Sequence, residues 1–130
     1  MSAIIHHMLK AAPAPVAPFS HAVEVDGWVF VTGQIPENPA KEDEPLPAGI
    51  EAQTRRVMDN LKLVLSEIGL GLEHVVSARV FVIDMREFET MNKVYASYFP
   101  ADKRPARTCI GVTGLAKGAR VEIDFIARRP

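Results

Sequence analysis

Apolar residues recur along this chain with two periods, and the change from one period to the other marks its elements. From His21 to Val25 and from Trp28 to Thr32, β-branched and aromatic residues form two short runs separated by Asp26-Gly27. Asp-Gly readily takes the positive φ values of a two-residue turn, so the pair predicts a β-hairpin. Then the period lengthens: Ile50, Val57, Leu61, Val64, Leu65 and Ile68 fall on one helical stripe, and Gly69 stands where such a helix stops. His74 to Ile83 is a β-branched run that predicts a strand, buried on both faces for part of its length. Asp84 followed by Glu87 has the spacing of a capping box, which predicts a second helix from Met85 to Phe99 stopped by Pro100. Its stripe is Phe88, Met91, Tyr95, Tyr98 and Phe99, and Asn92 shares that stripe. Two more strand-like runs, Arg107 to Val112 and Val121 to Ala127, flank a Gly-rich loop.

Hairpin, helix, strand, helix and two strands give ββαβαββ, an α+β single domain in which two helices cover one face of a mixed sheet. Two helices are too few to cover both faces, so the other face is expected to be buried by further copies of the chain. Residues 1–130 make one domain, long enough to bury roughly two-thirds of the unfolded surface without disulfides or metals. Residues 1–12 are expected to be a loose N-terminal segment, and Pro13, Pro15 and Pro18 make an extended lead-in. Residues 35–48, with four prolines and the run Lys41-Glu42-Asp43-Glu44, read as a solvent loop.

Composition narrows the function. The single cysteine excludes an internal disulfide, and the N-terminal stretch Met1–Leu9 carries neither a signal-like nor a membrane-spanning run, so the expected compartment is the cytoplasm. A net charge of −1 argues against nucleic acid or an anionic membrane as partner. The charge is unevenly spread: residues 103–130 hold seven Lys/Arg against two Asp/Glu, whereas the first 102 hold eight against fourteen. A small anion is easier to hold at the C-terminal end.

Candidate chemistry concentrates in that end. By period-2 alternation Arg107 shares a strand face with Cys109 and Gly111, while Val121, Ile123, Phe125 and Ala127 form an apolar face that leaves Glu122 and Asp124 on the other side. One of those acids could face Arg107. On the residues alone two readings stay open, an anion anchor or an edge-strand charge paired with an acid or with water. Gly33, ending the hairpin's second strand, lets a ligand approach its bare N–H, or merely closes a strand. Gln53 and Asn60 read as satisfied structural amides. His6 and His7 read as terminus rather than metal site, and His74 as the residue that starts a strand rather than a base. Cys109 has no histidine in its own motif to make it a thiolate, which favours pocket lining over nucleophile.

Beyond these patterns, the stretch PARTCIGVTGLAKGARVEIDFIA resembles the C-terminal signature of the RidA/YjgF family of enamine and imine deaminases. The similarity runs from residue 13 to residue 129 through Pro-Phe-Ser-His-Ala-Val, Val-Thr-Gly-Gln-Ile-Pro at 31–36, Gln53, Asn60-Leu61 and Phe88-x-x-Met91-Asn92-x-x-Tyr95. The resemblance implies a fold like that of the small chorismate mutases, assembled as a homotrimer with a ligand pocket at each subunit interface. It implies that Arg107 grips the substrate carboxylate, that Glu122 orients or activates water, and that Gly33 supplies a backbone donor. Phe19, Thr32, Asn92 and Cys109 would line the pocket. Phe19 stands where many members have Tyr, and Thr32 where many have Ser.

The expected activity is therefore hydrolysis of reactive 2-enamino or 2-imino acids, such as 2-aminoacrylate, to 2-keto acids and ammonia, with no cofactor and no metal. The competing expectation is a non-catalytic trimer that binds small carboxylates or partner proteins; it would need the arginine but not the acid. RNA cleavage ranks last, because no basic stripe with interleaved aromatics is present.

Overall fold

A computed structural model describes residues 3–130. Eight regular elements follow in order: strands β1 (Ile5–His7), β2 (Ala22–Val25) and β3 (Trp28–Gln34), helix α1 (Ile50–Glu67), strand β4 (Val75–Val82), helix α2 (Phe88–Ala96), and strands β5 (Ala106–Gly111) and β6 (Val121–Arg128). The strands form one mixed sheet in the order β1-β2-β3-β6-β4-β5, in which only the β4–β5 pair is parallel. That pair is joined by α2, since parallel neighbours need a crossover. Helix α1 likewise carries the chain from β3 to β4, and β6 later fills the gap between them.

The core lies between the helices and one sheet face. Val29, Val31, Val80, Val82, Ile123 and Phe125 meet Val57, Met58, Leu61, Val64 and Leu65 of α1 and Met91 of α2, all essentially buried. The Asp26-Gly27 turn takes the positive φ values expected of it, 52° and 78°. Gly69 at φ 79° reverses the chain after α1, where the Leu70 N–H donates to the Leu65 carbonyl at 2.8 Å. Gln53 donates to the Pro47 carbonyl and accepts from the Arg120 N–H, and Asn60 donates to the carbonyls of Ile35 and Glu37; both are the satisfied amides expected.

Four expectations change. The N-terminal segment is not loose throughout: Ile5–His7 adds an edge strand, making the order βββαβαββ. Its anchor is charge rather than hydrophobicity, because Glu24 on β2 accepts from His7 at 3.1 Å and from Arg129 at 2.7 and 2.9 Å. The second helix starts later, as a short 3₁₀ turn (Met85–Glu87) precedes α2 and the helix ends at Ala96. Asp84 does cap that turn, accepting from the Arg86 N–H at 3.0 Å, but Glu87 closes no box because Arg120 holds it at 2.8 Å. Strand β4 is buried on one face only; Val76 is exposed and Arg79 stands in solvent, since neither helix covers that side of the sheet. Among the described residues no helix is long and apolar enough to cross a membrane.

Candidate functional site

Strand register divides the candidate residues between the two faces of the sheet. In β5, Arg107 lies beside Ala78 and Cys109 beside Val80 of β4, and these in turn lie beside Phe125 and Ile123 of β6. That row points at the helices, so Arg107 and Cys109 sit on the covered face, at its edge. Glu122 lies beside Phe81, and Asp124 beside Arg79, on the row that points away. The expectation that one acid of β6 could face Arg107 within the chain is corrected: odd and even positions of paired strands emerge on opposite faces.

On the covered side, the Arg107 guanidinium lies over two rings of α2, 4.8 Å from the centroid of Tyr95 and 5.7 Å from that of Phe88. Such stacking holds a cation without neutralising it. Among the described residues no carboxylate pairs with Arg107. It opens on a cavity of about 340 Å³ shared with Asn92, Tyr95 and Arg104. Asn92 Oδ1 and the Tyr95 hydroxyl are buried there without a hydrogen-bond partner, so a pocket opens where the sequence places a helix-stripe amide. Burial pushes the Tyr95 phenol up, with the two arginines partly opposing it. Burial also pushes the Cys109 thiol up, with Arg107 opposing more weakly; the sulfur therefore stays a thiol.

On the open side a second cleft of about 570 Å³ is lined by Phe19, Thr32, Gly33, Glu122 and the lead-in from Pro13 to Ala17. Its floor is a bulge in β3: Val31 pairs with Phe125 and Gln34 with Ile123, so Thr32 and Gly33 together oppose Asp124. Thr32 donates its N–H to the His21 carbonyl at 3.0 Å and its hydroxyl to the Ser20 carbonyl at 2.6 Å, fastening the lead-in to the bulge. Gly33 lets the Glu122 side chain lie close: a Cβ there would overlap the carboxylate in its present position and lie 3.2 Å from its Cγ. Burial, and then the neighbouring Asp124 charge, raise the Glu122 carboxyl above its ordinary range, with Arg79 opposing. Asp124 itself is held by Arg79 through contacts of 2.6 and 3.1 Å.

The structure thus gathers Phe19, Thr32, Gly33 and Glu122 at one cleft and Asn92 and Arg107 at another cavity, with Cys109 on the strand row of Arg107 but outside that cavity's lining. Sequence reasoning missed the aromatic seat of Arg107, although Phe88 and Tyr95 lie two helical turns apart on one stripe. It also missed Arg104 and the role of the proline-rich lead-in as a wall. Among the described residues no cluster of His, Cys, Asp and Glu could hold a metal ion.

Comparison with known proteins adds a framework. The family model described as Endoribonuclease L-PSP matches residues 9–129. A RutC family protein of Synechocystis is 40% identical over 119 residues, 92% of this chain and 92% of that protein. Among solved structures, the Rid family protein YyfA of Yersinia pestis matches with a TM-score of 0.91 at 36% identity, over 97% of this chain and 99% of the other. TdcF of Escherichia coli, solved with bound serine, matches with a TM-score of 0.88 at 30% identity, over 97% and 99%.

Proposed function

The chain belongs to the Endoribonuclease L-PSP family, which takes in the RidA/YjgF and RutC proteins, and from that premise we propose that it hydrolyses reactive 2-enamino and 2-imino acids to 2-keto acids and ammonia. One observation carries the proposal. A cation without an acid partner and an acid with a raised pKa sit on opposite faces of one sheet, each in a cleft of its own. In a homotrimer the Arg107 edge of one subunit would meet the open face of the next, and the two half-sites would close into one pocket. The bare apolar groups on that face, with Phe30 47% and Ile110 47% exposed, support such packing.

The residues suit the reaction. Arg107 offers a planar fork to both oxygens of the substrate carboxylate, and the aromatic seat fixes its direction. Water adds to the imine carbon, forming the C–O bond as the C=N π pair moves to nitrogen. The ionised Glu122 accepts one water proton and gives it to that nitrogen; the proton of the new hydroxyl then passes to the nitrogen by way of the same carboxylate, and as the C=O π bond forms the C–N bond breaks, releasing ammonia and leaving the keto acid. A raised carboxyl is a better proton acceptor than an ordinary one. The Gly33 N–H would face the substrate from the bulge, and Asn92, Thr32, Phe19 and Cys109 would shape the pocket. The chemistry calls for no metal or redox cofactor. Serine bound to the related TdcF is an amino acid, of the same size class as the proposed substrates.

The test generates imines in situ from a panel of amino acids with an amino-acid oxidase and times keto-acid release. Faster release with the protein than without it is expected for at least one imine. Unchanged release across the whole panel would refute the enzymatic reading and leave the carboxylate-binding trimer in its place.

A further inference from the structure

The Arg107 cavity carries more positive charge than one carboxylate neutralises. Arg104 lines it together with Arg107, and the remaining wall is Asn92, Tyr95, Ala96 and Pro105, with no acid among them. Neither arginine is ion-paired among the described residues. Tyr95 is only 5% exposed, and its hydroxyl is buried with no hydrogen-bond partner. Two guanidinium forks at one cavity form a site for an anion with more oxygens than a single carboxylate supplies.

We infer that Arg104 is a specificity-determining residue that forms a second anion seat beside Arg107, so that the preferred substrates are 2-imino acids bearing a second carboxylate on the side chain. The inference rests on the imine-hydrolysis reading above. A monocarboxylate would neutralise Arg107 and leave the solvent-facing Arg104 charge beside it with no anion of its own. A dicarboxylate removes that repulsion and gives the second fork its own oxygens. At about 340 Å³ the cavity has room for a chain of four or five carbons.

The experiment compares parent and Arg104→Gln, which keeps hydrogen-bond donors but loses the charge; Arg104 is exposed, so folding should survive, and a melting curve checks this. Imines derived from aspartate and glutamate are set against that from alanine, and the corresponding keto acids, oxaloacetate, 2-oxoglutarate and pyruvate, are titrated by calorimetry. The parent should favour the dicarboxylates in kcat/KM and in binding. Arg104→Gln should lower the dicarboxylate-to-monocarboxylate ratio by about tenfold or more. An unchanged ratio, or a parent that prefers alanine-derived imine, would overturn the second seat. If Arg104→Gln weakens dicarboxylate binding but no imine is hydrolysed by either protein, the seat stands and the hydrolysis reading fails.

Discussion

Arg107 owes its position to two aromatic rings rather than to an acid, and this leaves its charge available for a ligand. Arg107→Lys keeps the charge but neither stacks as a plane nor offers a fork. It should fold and melt like the parent while losing most of the acceleration, and Arg107→Ala should lose about 2–5 kcal/mol of transition-state stabilisation. Steady-state rates beside a melting curve check both; a parental rate in Arg107→Ala would make the arginine a mere edge charge. Glu122 provides the second residue-scale test. If its ionised form accepts the water proton, activity falls as pH drops through its raised pKa. Asp124 helps to raise that pKa, and Asp124→Asn also frees Arg79 to act on Glu122 alone. Both effects lower the pKa, so the acid limb of the pH–rate profile should move to lower pH. A limb that stays put or moves up would show that Glu122 is not the titrating group.

At the scale of elements, the bulge in β3 brings Gly33 under Glu122. A methyl group at position 33 meets the end of a flexible side chain, which can swing away, and no backbone strain is involved. Gly33→Ala should therefore keep its melting temperature close to the parent's and still lose most activity; equal losses of both would mean the glycine serves packing only. The three-way contact among β1, β2 and the end of β6 has a different signature. Arg129 first, and then His7, hold the Glu24 carboxyl down at about 2, against 4.5 for a free one. A lowered carboxylate pKa contributes stability that is fully present above about pH 4.5 and is lost as pH falls toward 2. Glu24→Gln should thus be less stable than the parent at neutral pH, with the gap narrowing through that window in acid unfolding curves. A gap independent of pH would place the effect in packing.

These elements also show what could be read in advance. The hairpin, both helices and the apolar row of β6 follow from period and turn chemistry, because each buries one regular face. Strand β1 could not be read, since three residues, Ile5-His6-His7, are too few to show a period and their anchor, Glu24, lies seventeen residues from His7. The grouping of Arg107 with Cys109, and of Glu122 with Asp124, is legible in the alternation. Which group faces the helices is not, because β5 has mixed residues on both sides and only its pairing with β4 decides. Phe88 and Tyr95 were legible as a stripe but not as a seat, since that depends on the edge strand lying beside α2.

For the molecule as a whole, the open sheet face bears exposed apolar side chains and the Glu122 cleft, and the β5 edge bears the Arg107 cavity. The proposed self-assembly would account for both, and on that proposal light scattering should find a trimer at micromolar concentration. The most direct test of the shared pocket mixes two inactive variants, Arg107→Ala and Glu122→Gln, by co-expression or joint refolding. In a ring of three, every mixed assembly contains one interface that joins the intact arginine of one subunit to the intact acid of its neighbour. Random mixing should therefore restore about a quarter of the parental activity, although neither variant is active alone. Mixed trimers that form, as shown by differently tagged subunits purifying together, yet remain inactive would contradict a pocket built from two copies of the chain.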